Sequence, residues 1–102
     1  MSKVSNKTLT TLLAAGSTSW IDLGLTGDVS GAFDLALVGA TSAVVQADYS
    51  DDGSTVVSSS PAFTTSATAL ILGVHPARRF TRFTWVSGTA TSIIATYKGF
   101  TN

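Results

Sequence analysis

Hydrophobic and polar residues alternate along most of this chain, with the two-residue period of a strand that buries one face. In Ser19-Trp20-Ile21-Asp22-Leu23-Gly24-Leu25 the residues Ile21, Leu23 and Leu25 share one face, and Trp20, Asp22 and Gly24 the other. That predicts a strand, followed by turn chemistry at Thr26-Gly27-Asp28. Phe33, Leu35 and Leu37 then alternate with Ala32, Asp34 and Ala36. After Gly39-Ala40-Thr41 a third strand sets Ala43, Val45, Ala47 and Tyr49 against Val44, Gln46, Asp48 and Ser50. Ser50-Asp51-Asp52-Gly53 predicts a hairpin, because glycine accepts the left-handed conformation a tight reversal needs, and Ser54 to Ser58 is the returning strand. A loop at Ser59-Ser60-Pro61 leads to Phe63 and on to the apolar run Ala69 to Val74, which is short enough for a buried strand and is ended by His75-Pro76.

The densest β-forming stretch is Arg78 to Phe100. Its first half runs Arg78-Arg79-Phe80-Thr81-Arg82-Phe83-Thr84-Trp85-Val86, and its second half Ser92 to Phe100 is of the same aromatic and β-branched character. With Ser87-Gly88-Thr89 between them, the two halves predict a terminal hairpin. Seven to eight short strands result, with turn signals between them. Leu12 to Gly16 has room for one helical turn and no cap, glutamate is absent, and serine and threonine are abundant, all of which disfavour helix. The pattern is that of an all-β chain: a single antiparallel β-sandwich or jelly roll over residues 17–102, preceded by an extended polar N-terminal arm over residues 1–16.

Composition adds a constraint on the surface. At 102 residues the chain is one domain. Charged residues make up 12% of it, about half the usual quarter, and the mean hydropathy is +0.35 with a formal net charge of zero. So little charge leaves a small domain poorly protected from association, which predicts a homo-oligomer or a larger assembly in which other protein covers much of the surface. All six acidic residues lie between Asp22 and Asp52, and all six basic ones lie outside that span. Such segregation fits either pairing within the chain or an acidic-to-basic contact between neighbours. The balanced charge disfavours nucleic acid and anionic membranes as partners, and no apolar run approaches the ~20 residues that span a bilayer. Lys3 and Lys7 ahead of Leu9 to Ala15 have the order of a signal peptide, but Thr10 and Thr11 interrupt a short apolar segment.

Candidate chemistry is sparse. With no cysteine there is neither a disulfide framework nor a thiolate metal site. Asp48-Tyr49-Ser50-Asp51-Asp52-Gly53 starts like a calcium loop, yet the twelfth place is Ser59 where an EF-hand needs a bidentate glutamate. His75 is the single histidine, and no Gly-x-Ser-x-Gly elbow accompanies it, which argues against hydrolysis. Arg78, Arg79 and Arg82 interleave with Phe80, Phe83 and Trp85 in a pattern able to stack on single-stranded nucleic acid; the plainer reading puts the aromatics in the core and the arginines on aspartates. Trp20 and Trp85 are the candidates for a sugar-stacking platform.

Taken in order, several segments resemble the small β-sandwich modules of structural proteins in tailed bacteriophage virions. These are Trp20-Ile21-Asp22-Leu23, the Tyr49-Ser50-Asp51-Asp52-Gly53 hairpin, a threonine-rich strand, Pro76-Ala77-Arg78-Arg79-Phe80-Thr81-Arg82-Phe83 and Ser87-Gly88-Thr89 before a β-rich end. Galactose-binding-like domains are similar to a lesser degree. The resemblance spans about Trp20 to Phe100 and includes no catalytic motif. It implies a non-enzymatic virion protein without cofactor, of the capsid decoration or cement type, assembled in the host cytoplasm and often trimeric. Its partner would be the major capsid protein or another virion protein. Lys3, Lys7 and Leu9 of the arm are then expected to lie along a neighbouring subunit, adding a strand to a sheet edge. Arg78, Arg79, Arg82, Asp51 and Asp52 are expected to set the register between partners. A carbohydrate-binding module and a tail or connector component are the alternatives.

Overall fold

The computed structural model describes residues 3–9, 11–26, 30–74 and 78–101, with backbone alone over 3–8, 25–26 and 100–101. Its strands are β1 (Lys3–Thr8), β2 (Gly16–Ser17), β3 (Ile21–Asp22), β4 (Ser30–Val38), β5 (Ala43–Ser50), β6 (Ser58–Ser59), β7 (Phe63–Thr65), β8 (Ala69–Val74), β9 (Phe80–Ser87) and β10 (Ser92–Thr101). One helical turn, α1 (Leu23–Thr26), interrupts them. All pairings are antiparallel and form two sheets. One has the order β1-β10-β4-β8; in the other β9 and β5 are central, with β2 and β3 beside β9 and β6 and β7 beside β5. The chain is an all-β sandwich, and three of its strands are two-residue pieces at a sheet edge.

The alternation legible in the sequence sets what faces inward. Phe33, Leu35, Leu37, Ile93, Ala95 and Tyr97 of one sheet meet Val45, Ala47, Phe83 and Trp85 of the other, all buried. Phe33 ties the layers together: its ring lies 6.0 Å from Phe83 of the opposite sheet and 5.6 Å, edge-on, from Tyr97 beside it. Such tilted and edge-to-face pairs are favoured by the ring quadrupoles.

Several local expectations are corrected. The predicted terminal hairpin is an arch: β9 pairs with β5 and β10 with β4, in different sheets. In the arch Phe83 and Trp85 of β9 lie across the core from Ile93, Ala95 and Tyr97 of β10. Gly88 makes the crossing at φ 88°, pressed so close to the Ser42 carbonyl that a Cβ would collide with it. The strand predicted over Ser19 to Leu25 is only Ile21–Asp22. Beyond it Asp22 acts as a helix cap, its Oδ1 accepting the Gly24 N–H at 3.0 Å, so the chain turns instead of extending. The reversal after Ser50 is present with Gly53 at φ 74°, but pairing resumes at Ser58 and not at Ser54. Asp52 Oδ1 holds the Ser54 and Thr55 N–H groups in the loop at 2.8 and 2.9 Å. Ala69 to Val74 is an edge strand with Ile71 72% exposed, not a buried one. Leu12 to Gly16 forms no helix; Leu12 bridges to Ile93 and Gly16 pairs with Trp85. His75 lies outside the described residues.

The N-terminal arm is extended, and its partner is the chain's own β10. Lys3 to Thr8 pair with Thr101 to Thr96, Leu9 N–H donates to Ala95 O at 3.0 Å, and Leu12 and Ile93 exchange two bonds of 2.9 Å. Leu9 is buried. The segment then crosses to the second sheet through β2, so it closes one flank of the sandwich.

Candidate functional site

The charged residues singled out in the sequence are brought together within the chain. Arg78 reaches Asp51 with Nη1 at 3.0 Å and Ser58 Oγ with Nε at 3.2 Å. Arg79 forks onto Asp22, Nε to Oδ1 at 3.0 Å and Nη2 to Oδ2 at 2.9 Å; these bonds, and then the charge behind them, hold its guanidinium protonated more firmly than usual. Arg82 Nε donates to Asp48 Oδ2 at 3.0 Å. Lys98 lies 2.9 Å from Asp34. The segregation of acids and bases along the sequence thus maps onto pairing across β3–β9, β5–β9 and β4–β10. Asp52 pairs with no arginine; it closes its own loop, and backbone N–H groups of Thr55 and Ser54 with the Ser50 hydroxyl hold its carboxyl below the usual value. Lys3 and Lys7 lie on β1, at the outer edge of their sheet.

Asp48 is the hub of the outer face of the β9–β5 sheet. Its side chain is 4% exposed, and it accepts from Thr84 Oγ1 at 2.6 Å, Ser59 Oγ at 2.7 Å, Gln46 Nε2 at 2.8 Å and Arg82 Nε at 3.0 Å. Burial pushes its carboxyl up, but the four donors outweigh that and hold it below 3.8. The Arg82 guanidinium in turn lies 4.5 Å above the Trp20 ring. A shallow groove of about 500 Å³ runs over this cluster between Gly16, Val56 and Val86. Its oxygens are already taken, so the cluster is a fastening between strands. The calcium-like spacing has the same fate: Asp48, Ser50 and Asp52 spend their oxygens on neighbours, and no group of three metal-ligating side chains occurs among the described residues.

Trp85 offers no free ring face of the kind a sugar stacks on, and one face of Trp20 is covered. Trp85 is 3% exposed and donates its Nε1–H to the Ser87 carbonyl at 2.9 Å. Trp20 is half-buried beneath Arg82.

The outer face of the β1-β10-β4-β8 sheet is apolar at places the sequence reading passed over. Ala36 stands opposite both Ile94 and Ala69, and Asp34 opposite Ile71; Val38 is 52%, Ile94 37% and Ile71 72% exposed. The doublet Ile93-Ile94 was the available signal, since a strand with one solvated face should not place isoleucine on both sides.

No protein-family model matches the chain, and no curated relative does. Two solved structures are similar to it. The SPBc2 prophage-derived protein YomS matches with a TM-score of 0.77 at 8% identity, over 99% of this chain and 96% of that one. A structure of Bacillus endospore appendages, which form disulfide-linked pili, gives a TM-score of 0.48 at 16% identity, over 100% of this chain and 92% of that one. The first likeness establishes a fold shared over nearly the whole of both chains.

Proposed function

We propose that this chain is a non-enzymatic structural protein of a phage particle, a capsid decoration subunit that holds neighbouring head subunits together. The observation that carries the reading is the fold likeness to a prophage-derived protein, over 99% of this chain and 96% of that one. Two physical features support it. The aspartates and arginines among the described residues are engaged within the chain, as at Asp48 and Asp22, which leaves little geometry for catalysis. Around the Asp34–Lys98 ion pair, the outer sheet face at Ala36, Val38, Ile71 and Ile94 is apolar, a mixture found in interface cores. The mechanism is mass action: a subunit that binds only the assembled lattice stabilises it against dissociation.

Density-gradient banding of particles from cells whose genome carries the chain tests this, with immunogold labelling of the banded material. Comigration with gold on the heads is expected. Gold on tails moves the assignment to a tail or connector component, and a chain that stays at the top of the gradient overturns the proposal.

A further inference from the structure

We infer that β8 is the contact edge of a two-fold dimer, in which a second copy of this chain pairs its own β8 antiparallel to the first and joins the two β1-β10-β4-β8 sheets into one. The four flanks of the two sheets differ in how they are protected. A sheet edge is a row of unpaired N–H and C=O groups, and proteins blunt it with short strands or with charge, lysine above all. In the β9–β5 sheet both edges are short pieces of two or three residues. In the other sheet β1 carries Lys3 and Lys7 among polar residues. β8 has none of these devices: six residues, Ala-Leu-Ile-Leu-Gly-Val, without charge or proline, and no strand among the described residues beyond it.

The register follows from the hydrogen bonds on its inner side. Leu37 N–H donates to the Thr68 carbonyl at 2.9 Å, and Leu35 and Phe33 stand opposite Leu70 and Leu72. Bonded pairs alternate along an antiparallel ladder, so Ala69, Ile71 and Gly73 turn their N–H and C=O groups away from β4. That outward row is self-complementary about Ile71. Ile71 falls opposite Ile71 of the second copy, Ala69 opposite its Gly73, and Leu70 opposite its Leu72, with about six new backbone bonds. On the outer face the two exposed isoleucines meet. On the inner face the leucines continue the core.

The flank is open. A Cβ built on Gly73 meets nothing within 4 Å. Beside it a groove of about 460 Å³ between Leu72, Tyr49, Pro61 and the 48% exposed Phe63 opens at this flank. With a formal net charge of zero, nothing at long range repels a second copy.

Sedimentation velocity on the full chain across a concentration series tests the inference. The wild type is expected at twice its 10.5 kDa. Ile71→Lys places two ammonium groups together at the axis and is expected to weaken the dimer at least tenfold. Val38→Lys, also exposed on the sheet face but away from the edge, is expected to leave it intact. Ile71→Cys, in a chain without other cysteines, is expected to be cross-linked within the dimer by a short bifunctional thiol reagent, since the two Cβ atoms of a hydrogen-bonded pair lie about 5.5 Å apart. A monomer at every concentration, open-ended association, an Ile71→Lys dimer as tight as wild type, or an Ile71→Cys chain that does not cross-link would each overturn the pairing. The virion reading is judged separately, by comigration with particles.

Discussion

Asp48 and Arg82 face each other across β5 and β9, and Arg82 joins that pair to Trp20 by lying over its ring. One carboxylate therefore fixes three chain segments on the outer face of the sheet: β5 itself, β6 through Ser59, and β9 through Arg82 and Thr84. Replacing Asp48 by alanine leaves four donors without their acceptor. Because Arg82 can still reach water, the expected loss is about 3 kcal/mol, toward the lower end for a broken buried pair. For a domain of this size that is a fall in Tm on the order of 10–20 °C. A melting curve no lower than wild type would mean the network is decorative.

The same carboxylate makes the fold acid-sensitive. Its folded pKa lies below the unfolded value near 3.8, so the stability it contributes is fully present above that value and is lost as the pH falls through the lower folded one. Asp52 titrates with the same sign. Urea midpoints measured from pH 7 down to pH 2 should decline below about pH 4. In Asp48→Asn, which starts from a lower midpoint, the decline should be visibly shallower; equal acid dependence of the two proteins would assign it to other groups.

Gly88 and Gly73 should respond oppositely to alanine. At Gly88 the backbone is left-handed and the new Cβ meets the Ser42 carbonyl, a main-chain atom that cannot swing aside. Gly88→Ala is expected to cost about 3 kcal/mol or more by chemical denaturation. At Gly73 the added methyl enters open space within a strand, and Gly73→Ala should stabilise the monomeric unit by roughly 0.5 kcal/mol. Similar melting curves for the two variants would show that the arch at Gly88 can relax.

The strand faces were legible in the sequence because burial on one side imposes a period of two: Phe33, Leu35 and Leu37, and Ala43, Val45, Ala47 and Tyr49, all face inward. Sheet membership was not. Phe83 and Trp85 would be buried equally well in a hairpin with β10 or in an arch against it, and what decides between the two is long-range pairing, β9 with β5 and β10 with β4, which local alternation does not encode. The arginines and aspartates were visible as candidates, yet their pairing depends on cross-strand register, as Asp48 with Arg82 shows. β1 left the weakest trace of all, because an edge strand docks through backbone bonds and its residues need no apolar period.

That last point reverses what an arm reaching for a neighbour would do on removal. If residues 1–11 served only a partner, deleting them would leave the sandwich as stable as before. In the fold they supply the outer strand along β10 and the buried Leu9. Losing Leu9 alone costs about 2 kcal/mol in apolar burial, and the loss of β1 uncovers the N–H and C=O groups along the outer side of β10. The truncated chain is expected to melt well below the full chain and to aggregate through the newly opened β10 edge. Thermal unfolding followed by circular dichroism, with light scattering recorded alongside, reads both effects. An unchanged Tm with no rise in scattering would show that β1 contributes nothing to the isolated subunit and would restore the arm to a neighbour's surface.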